Sequence, residues 1–379
     1  MRLTLRPIAA AALLLCLHFG QQPANAATVK IYGAIDNGLT YEHIDGAGSS
    51  LQMTAGNYAG SRVGLFGEED LGDGISVGFV LEEGFSADTG AFAQADSMFS
   101  RESQIHATGP WGTIGFGRVG GFSTGSTSLS WYWDMDPFDT GYIDAGNQAT
   151  QLNVWRVNNN TAYYITPNWK GWKLGLQYSL TGTKTQEQSA FSDNDGWVNA
   201  AVRFDGANAK WLLGLEWERF GQAPSADARR QDNAWNIKSA FVWTPQASRL
   251  TLYLSGSWFR NQRSISDSAA SDNASIGFRP DSGRGLDGVS AAIGAKYSLG
   301  ADDWIAQVQY LDGENKAAAE GTNPEYSRFA AAAGLHHHFS KRTFGYVIGS
   351  YADGSGFIDD FDSAASNRAQ CHVGIFHRF

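Results

Sequence analysis

Residues 120–157 form a long segment that holds the densest group of side chains able to do chemistry in this chain. Connections of this length in a compact protein usually carry function. Closely spaced carboxylates can hold a cation or create a local field, and aromatic rings can stack on sugar rings. The carboxylates are Asp134, Asp136, Asp139 and Asp144, and the rings include Trp131, Trp133 and Phe138. If the segment were an exposed outer loop, rings of this size would form an apolar patch that needs a partner.

Other candidate chemistry is weaker. In a strand, His336 and His338 share one face and His337 points away, beside the turn at Ser340. A place in an aromatic girdle explains this triplet better than a metal site. The acidic loops could hold Ca²⁺, but the sequence has no twelve-residue EF-hand loop. Esterase, zinc-protease and phosphate-loop motifs do not occur. We therefore expect no enzyme activity, no metal at the histidines, and no cofactor beyond the Ca²⁺ candidate.

The first 26 residues have the pattern of a cleaved export signal. Arg2 and Arg6 precede an apolar run, and Ala24-Asn25-Ala26 is a small-x-small cleavage site. The apolar run of about a dozen residues is shorter than the roughly 20 that a spanning helix needs. Removal of 1–26 leaves 353 residues with 26 basic and 38 acidic side chains. An acidic exported chain argues against a nucleic-acid partner and leaves a secreted soluble protein or an outer-membrane β-barrel.

Alternation of apolar and polar residues favours the barrel. Leu174, Leu176 and Tyr178 interleave with Gln177 and Ser179, and the same period of two recurs along the chain. Trp and Tyr gather at the ends of the apolar faces, as the girdles of a membrane barrel require. We count sixteen strand-like segments, near residues 28–40, 61–69, 74–86, 99–108, 112–119, 158–166, 172–181, 196–204, 210–219, 234–244, 249–260, 287–299, 302–312, 326–339, 342–352 and 369–379.

The connections predict an up-and-down antiparallel barrel. Seven short turns, such as residues 109–111 and 300–301, alternate with eight long loops, the first of which is expected near residues 41–60. The last strand carries Val373, Ile375 and Phe379 on one face and must pair with the strand near Thr28, which removes both sheet edges. Alternation is less regular near residues 101–108, as it would be where a strand meets another subunit.

Several motifs make the chain resemble a known family. They are Val29–Asp36, Ser61–Gly74 with its Ser-Arg and Glu-Asp-Leu-Gly-Asp-Gly, Arg101-Glu102-Ser103, Gly112–Arg118 and Gly374–Phe379. They are similar to the Gram-negative general porins of the neisserial and burkholderial type. The resemblance covers residues 27–379 as a single domain. It implies a 16-stranded antiparallel transmembrane β-barrel, a homotrimer, a third loop folded into the lumen, and a terminal Phe379 used in membrane assembly.

The resemblance also implies a pore site. It makes residues 120–157 the constriction loop and places a basic wall opposite it, at Lys30, Arg62, Arg101 and Arg156. Strand alternation independently directs Lys30 and Arg62 inward. Arg118 shares a face with Ile114 and Phe116, so a subunit contact is equally compatible with its position. Opposed charges across a narrow gap select ions and orient dipolar solutes.

The expected function is passive, size-limited diffusion of ions and small hydrophilic solutes through an outer-membrane porin. The four basic wall residues favour passage of anions, and the four Asp favour passage of cations. Of the two, we expect a weak preference for anions. The alternative is a substrate-selective channel for small organic anions or sugars with an aromatic-lined constriction; an adhesin-like barrel and a soluble β protein are other classes. Expected partners are outer-membrane lipid, lipopolysaccharide and the barrel-assembly machinery. Cys371 points outward by parity, and residues 27–379 contain no second cysteine to pair with it.

Overall fold

The computed structural model describes residues 28–95, 97–123, 127–142, 145, 157–181, 194–221, 232–262, 285–316, 324–356 and 367–379. The predicted signal peptide 1–26, Asp144 and Arg156 lie outside the described residues. Within these ranges, no helix has the length and apolar character needed to cross a membrane.

The described residues form seventeen antiparallel strands in one sheet. The strands are β1 Thr28–Ile44, β2 Gly48–Ala55, β3 Arg62–Gly72, β4 Ile75–Gly84, β5 Glu102–Gly109, β6 Gly112–Gly120, β7 Val157–Ile165, β8 Trp172–Ser179, β9 Gly196–Asp205, β10 Ala209–Arg219, β11 Ala234–Trp243, β12 Leu250–Gln262, β13 Leu286–Leu299, β14 Asp302–Asn315, β15 Glu325–Ser340, β16 Thr343–Gly356 and β17 Arg368–Arg378.

The first and last strands close the sheet into a barrel. Strand β17 pairs with β1 from Ala34↔Arg378 to Ile44↔Arg368. Gly33 and Phe379 exchange backbone hydrogen bonds of 3.2 and 3.1 Å, so pairing continues to the last residue. A side chain at Gly33 would collide with the Phe379 ring, and glycine is therefore needed there. Among the described strands, β1 and β17 are each paired on both sides, so closure leaves neither of them a free edge for another strand to join.

Strands β2 and β3 occupy one position in the wall, which gives sixteen positions and confirms the predicted count. β1 pairs with β2 through residues 37–44 and with β3 through residues 28–34, on the same side. Residues 56–61 interrupt this wall strand and turn inward. The long loop expected at residues 41–60 is wrong: a three-residue turn, residues 45–47, joins β1 directly to β2. In β2, Leu51 and Met53 alternate with polar residues, but two large apolar residues beside Gly and Ser are too short a pattern to mark a strand in the sequence.

The short turns follow from local sequence. Asp73 and Gly74 both have positive φ, 53° and 73°, between β3 and β4. That conformation suits a two-residue hairpin and is tolerated best by Asp, Asn and Gly. We call this side of the barrel the turn end, and the opposite side the loop end.

Burial along the strands is reversed relative to a soluble protein. On β8, Leu174 is 51% exposed, whereas Gln177 is fully buried. The same contrast holds on β14, where Val308 faces out and Gln309 faces in. Apolar side chains outside and polar side chains inside are what a strand needs between lipid and a wet interior.

Candidate functional site

Two stretches leave the wall and pack against its inner face. The first inner segment is residues 56–61, and the second inner segment is residues 121–145, of which 124–126 and 143–144 are not described. Two clusters of buried apolar residues form where these segments meet the wall. One contains Tyr58, Phe138 and Tyr142, and the other contains Phe122 and Trp131.

The second inner segment is fixed along much of its length by polar side chains of the wall. Near its start, the Phe122 N–H donates to Asn199 Oδ1 at 2.8 Å, and Ser123 Oγ donates to Glu216 at 2.6 Å. Near its end, Gln309 Nε2 donates to the Ala145 carbonyl at 3.0 Å. These contacts lie on β9, β10 and β14, so the segment crosses several strands of the inner face.

Among the described carboxylates of the segment, Asp134 is the most strongly paired. Arg203 donates to both of its oxygens at 2.9 Å, and Lys210 donates at 2.6 Å. Asp205 holds the same guanidinium from the other side at 2.7 Å. Burial opposes ionisation of Asp134, but the hydrogen bonds and charges of Arg203 and Lys210 outweigh it and keep its pKa below the ordinary value.

Arg203 and Lys210 were not among the residues predicted for the site. Arg203 alternates with Val202 and Phe204 on β9, and this period of two could have placed it inside. Its pairing with Asp134 carried no sequence signal, because 69 residues separate them.

Asp136 stabilises the fold of the segment itself. It is 1% exposed and accepts hydrogen bonds from the N–H groups of Phe138 and Thr140 at 2.8 and 2.9 Å. Burial and the neighbouring charge of Asp139 raise the pKa of Asp136 to about 8. At neutral pH this carboxyl is therefore largely protonated.

Asp139 joins the two inner segments. The Tyr58 hydroxyl donates to it at 2.7 Å, and burial raises the pKa of Asp139. The first inner segment is in turn held by Asp36, whose Oδ2 accepts from the N–H groups of Tyr58 and Ala59 at 2.6 and 3.0 Å. The other Asp36 oxygen accepts from the Tyr346 hydroxyl at 2.8 Å. Asp36, a carboxylate of the wall, thus positions Tyr58, the hydrogen-bond partner of Asp139.

The predicted aromatic residues serve as packing groups. Trp131 stacks on Phe122 at 4.6 Å, with Lys173 Nζ 5.6 Å above the Trp131 ring. Phe138 is fully buried, and Trp133 packs edge-on against Tyr58 at 6.1 Å. Trp131 and Phe138 therefore present no open face to a sugar ring, and both lie in the buried clusters that the segment forms with the wall.

Two of the predicted basic residues lie together. Arg62 and Arg101 contact the same carboxylate, Glu82, at 3.5 and 2.6 Å. Lys30 is exposed near the turn end of β1. Arg118 binds elsewhere: its guanidinium donates to the Ser100 carbonyl at 2.8 Å, to Asn159 at 2.7 Å and to Gln94 at 3.2 Å.

The histidine triplet divides between the two faces of β15. His336 hydrogen-bonds the Tyr142 hydroxyl at 3.0 Å inside the barrel, and His338 contacts Asp303 at 3.1 Å. His337 contacts Asp302 at 2.6 Å on the outer side. In the described part of the chain, no three His, Cys, Asp or Glu side chains gather as a metal-binding group.

The closed barrel, with its apolar outer face and polar interior, defines the class of outer-membrane β-barrel proteins. A family described as Gram-negative porins matches residues 9–356, and the chain belongs to this family. This membership confirms the predicted family and the outer-membrane location, and it indicates a channel rather than an enzyme.

Individual relatives agree with this assignment. An outer membrane porin protein of Bordetella pertussis is 26% identical, over 93% of this chain and 94% of the relative. The major outer membrane protein P.IB of Neisseria gonorrhoeae is 25% identical, over 90% of this chain and 93% of its own. The solved structure of the anion-selective porin from Comamonas acidovorans has a TM-score of 0.67 at 23% identity, over 93% of this chain and 100% of that one.

Proposed function

We propose that this porin is a passive, water-filled channel for ions and small hydrophilic solutes. The second inner segment narrows its lumen. The observation that carries the proposal is the attachment of residues 121–145 to the inner face by Asn199, Glu216, Arg203 and Gln309. A segment fixed to the wall at so many points sets a constant width, and solutes then pass according to size. No energy source is required for such diffusion.

We further propose a weak preference for anions. The acidic residues of the second inner segment are largely engaged: Asp134 with Arg203 and Lys210, Asp136 with backbone N–H groups, and Asp139 with Tyr58. The field of these three carboxylates in the lumen is therefore reduced, whereas on the wall the two guanidinium groups of Arg62 and Arg101 lie together around one carboxylate, Glu82. A relative of similar fold is named an anion-selective porin, which agrees with this preference.

The assembled form that we propose is a homotrimer in outer-membrane lipid and lipopolysaccharide. Support comes from segment 85–101, which exposes Phe92 and Met98 at 69% and 79% beside the strands with irregular alternation. Exposed apolar groups of this kind mark a contact surface. The terminal strand, ending at Phe379, is proposed to engage the barrel-assembly machinery.

Planar-bilayer recording of the purified protein tests the function. We expect large, ohmic conductance that appears in groups of three equal steps. Insertion without conductance would exclude the channel. Conductance in single steps, not in groups of three, would exclude the trimer but not the channel. Strong, saturable block by one sugar at low concentration would favour a substrate-selective channel instead.

A further inference from the structure

A groove of about 620 Å³ crosses the outer face of strands β12 to β16. Its floor is a row of small residues at matched register positions on four adjacent strands, Ala295, Ala306, Ala333 and Gly349. Leu252 lies opposite Ala295 on β12 and ends the row. Because neighbouring strands lie about 4.8 Å apart, these five strands give the groove a length of about 19 Å.

Larger side chains border this row toward the loop end. Ile293, Val308 and Tyr351 each lie two residues from a small residue of the row, and side chains two apart project from the same face of a strand. The polar residues of the lining, Gln307 and Ser350, occupy inward-facing positions and are buried. The side chains that border the groove are therefore aliphatic or aromatic.

The space above Gly349 is left unfilled by the chain itself. A Cβ atom added at this glycine would have one neighbouring atom within 4 Å, the carbonyl oxygen of Ala333 at 4.0 Å. The φ angle of Gly349 is not positive, so the backbone does not require glycine there. Neither packing within the barrel nor backbone conformation explains the small residue, and its size leaves room for an external group.

The groove lies at the depth of the lipid hydrocarbon. On β14, the exposed rings of Trp304 and Tyr310 bracket the groove residues Ala306 and Val308. Aromatic rings mark the two interfaces of an outer-membrane barrel, with the apolar band between them. The contact surface proposed for the trimer, segment 85–101, follows β4 on the other side of the junction between β17 and β1. Lipid is therefore the occupant that this face meets.

We propose that the groove binds one acyl chain of a membrane lipid along its length. One leaflet occupies about half of a hydrocarbon core of roughly 30 Å, so an acyl chain extends over about 15 Å and fits within the groove. Lipid chains are as apolar as the protein surface, so van der Waals contact selects this position rather than the hydrophobic effect. A chain in the groove contacts protein below and beside it, whereas a chain on a smooth face contacts protein on one side only.

Native mass spectrometry of the detergent-purified protein, titrated with palmitoyl-oleoyl phosphatidylethanolamine, counts the lipid molecules that each chain retains. We expect one lipid per chain to bind more tightly than any further lipid. Gly349→Leu places a branched side chain in the groove, and the lipid concentration for half-occupancy should rise about tenfold as close carbon contacts are lost. Ala306→Leu fills the same groove from β14 and should have the same effect, so the test does not depend on the folding of one variant.

Ala291→Leu is the matched control, because Ala291 is a small, exposed residue of β13 that does not line the groove. It should retain lipid as the wild type does. Equal retention by the wild type and the folded groove variants, or an equal loss in Ala291→Leu, would overturn the site. Competition by glycerophosphoethanolamine, which has the headgroup without acyl chains, would assign the binding to the headgroup and also overturn it. All three residues face outward, so KCl conductance should be unchanged in every variant.

Discussion

The hydroxyl of Tyr58 donates a 2.7 Å hydrogen bond to Asp139, and this bond ties the first inner segment to the second. The Tyr58 ring is buried among Phe344 and Phe376 of the wall and Tyr142 of the second inner segment. Gly141 packs so closely on the Tyr58 backbone that a side chain there would collide with the Tyr58 carbonyl. The proposed narrowing of the lumen would therefore depend on an interrupted wall strand as well as on the long segment.

Tyr58→Phe tests this tie. It leaves the Asp139 carboxyl without its hydroxyl donor, and an unsatisfied polar group away from water costs about 1–3 kcal/mol. We expect noisier open-channel current and a lower unfolding temperature. Tyr41→Phe is the matched control, because its hydroxyl bonds Ser49 on the exposed β1–β2 hairpin. Identical current noise in both variants would show that the bond does not hold the segment.

The pH dependence of the channel should come mainly from Asp136. Burial and Asp139 raise its pKa to about 8, against an ordinary value near 3.9, so packing of the segment favours the protonated carboxyl. Its contribution to stability is complete below about pH 4 and is lost as the pH rises through about 8. The contribution of Asp134 to stability changes with pH in the opposite direction. Its pKa is lowered, so this contribution is lost only in acid.

Current noise recorded at about pH 5, 7 and 9 measures this effect. We expect the noise of the wild type to increase with pH as Asp136 ionises and the segment loosens. Asp136→Asn cannot ionise at this position and should lose most of the dependence. A variant whose noise rises with pH as steeply as that of the wild type would assign the effect to another group.

The sequence predicted the strands of the barrel wall more completely than the contacts inside the barrel. Alternation placed Arg62 inward and Val373 outward because each strand contacts lipid on one face only. It missed β2, because the outward stripe of Gly48–Ala55 is short, Leu51 and Met53, and lies in a stretch rich in Gly, Ser and Thr that resembles a loop. Nor could it pair Asp134 with Arg203, because contacts across the interior follow the path of a loop that has no periodicity.

Closure at the last residue gives a prediction for assembly. Phe379 completes the pairing with Gly33, and its ring covers the glycine. Phe379→Ala should lower the amount of folded protein in the outer membrane several-fold, measured by heat-modifiable migration in gels. Phe339→Ala, which removes an exposed ring at the turn end of β15, is the control. Equal folded yields would deny Phe379 a role in assembly.

The reversal potential across a KCl gradient tests the central claim most directly, namely that solutes pass between the second inner segment and the wall bearing Arg62 and Arg101. Arg62→Glu with Arg101→Glu makes this wall more negative by four charges, and Arg260→Glu on the exposed outer side is the control. We expect the double variant to shift the potential clearly toward cations while the control matches the wild type. A double variant that conducts with an unchanged potential would contradict the account, because the permeation path would then avoid these residues.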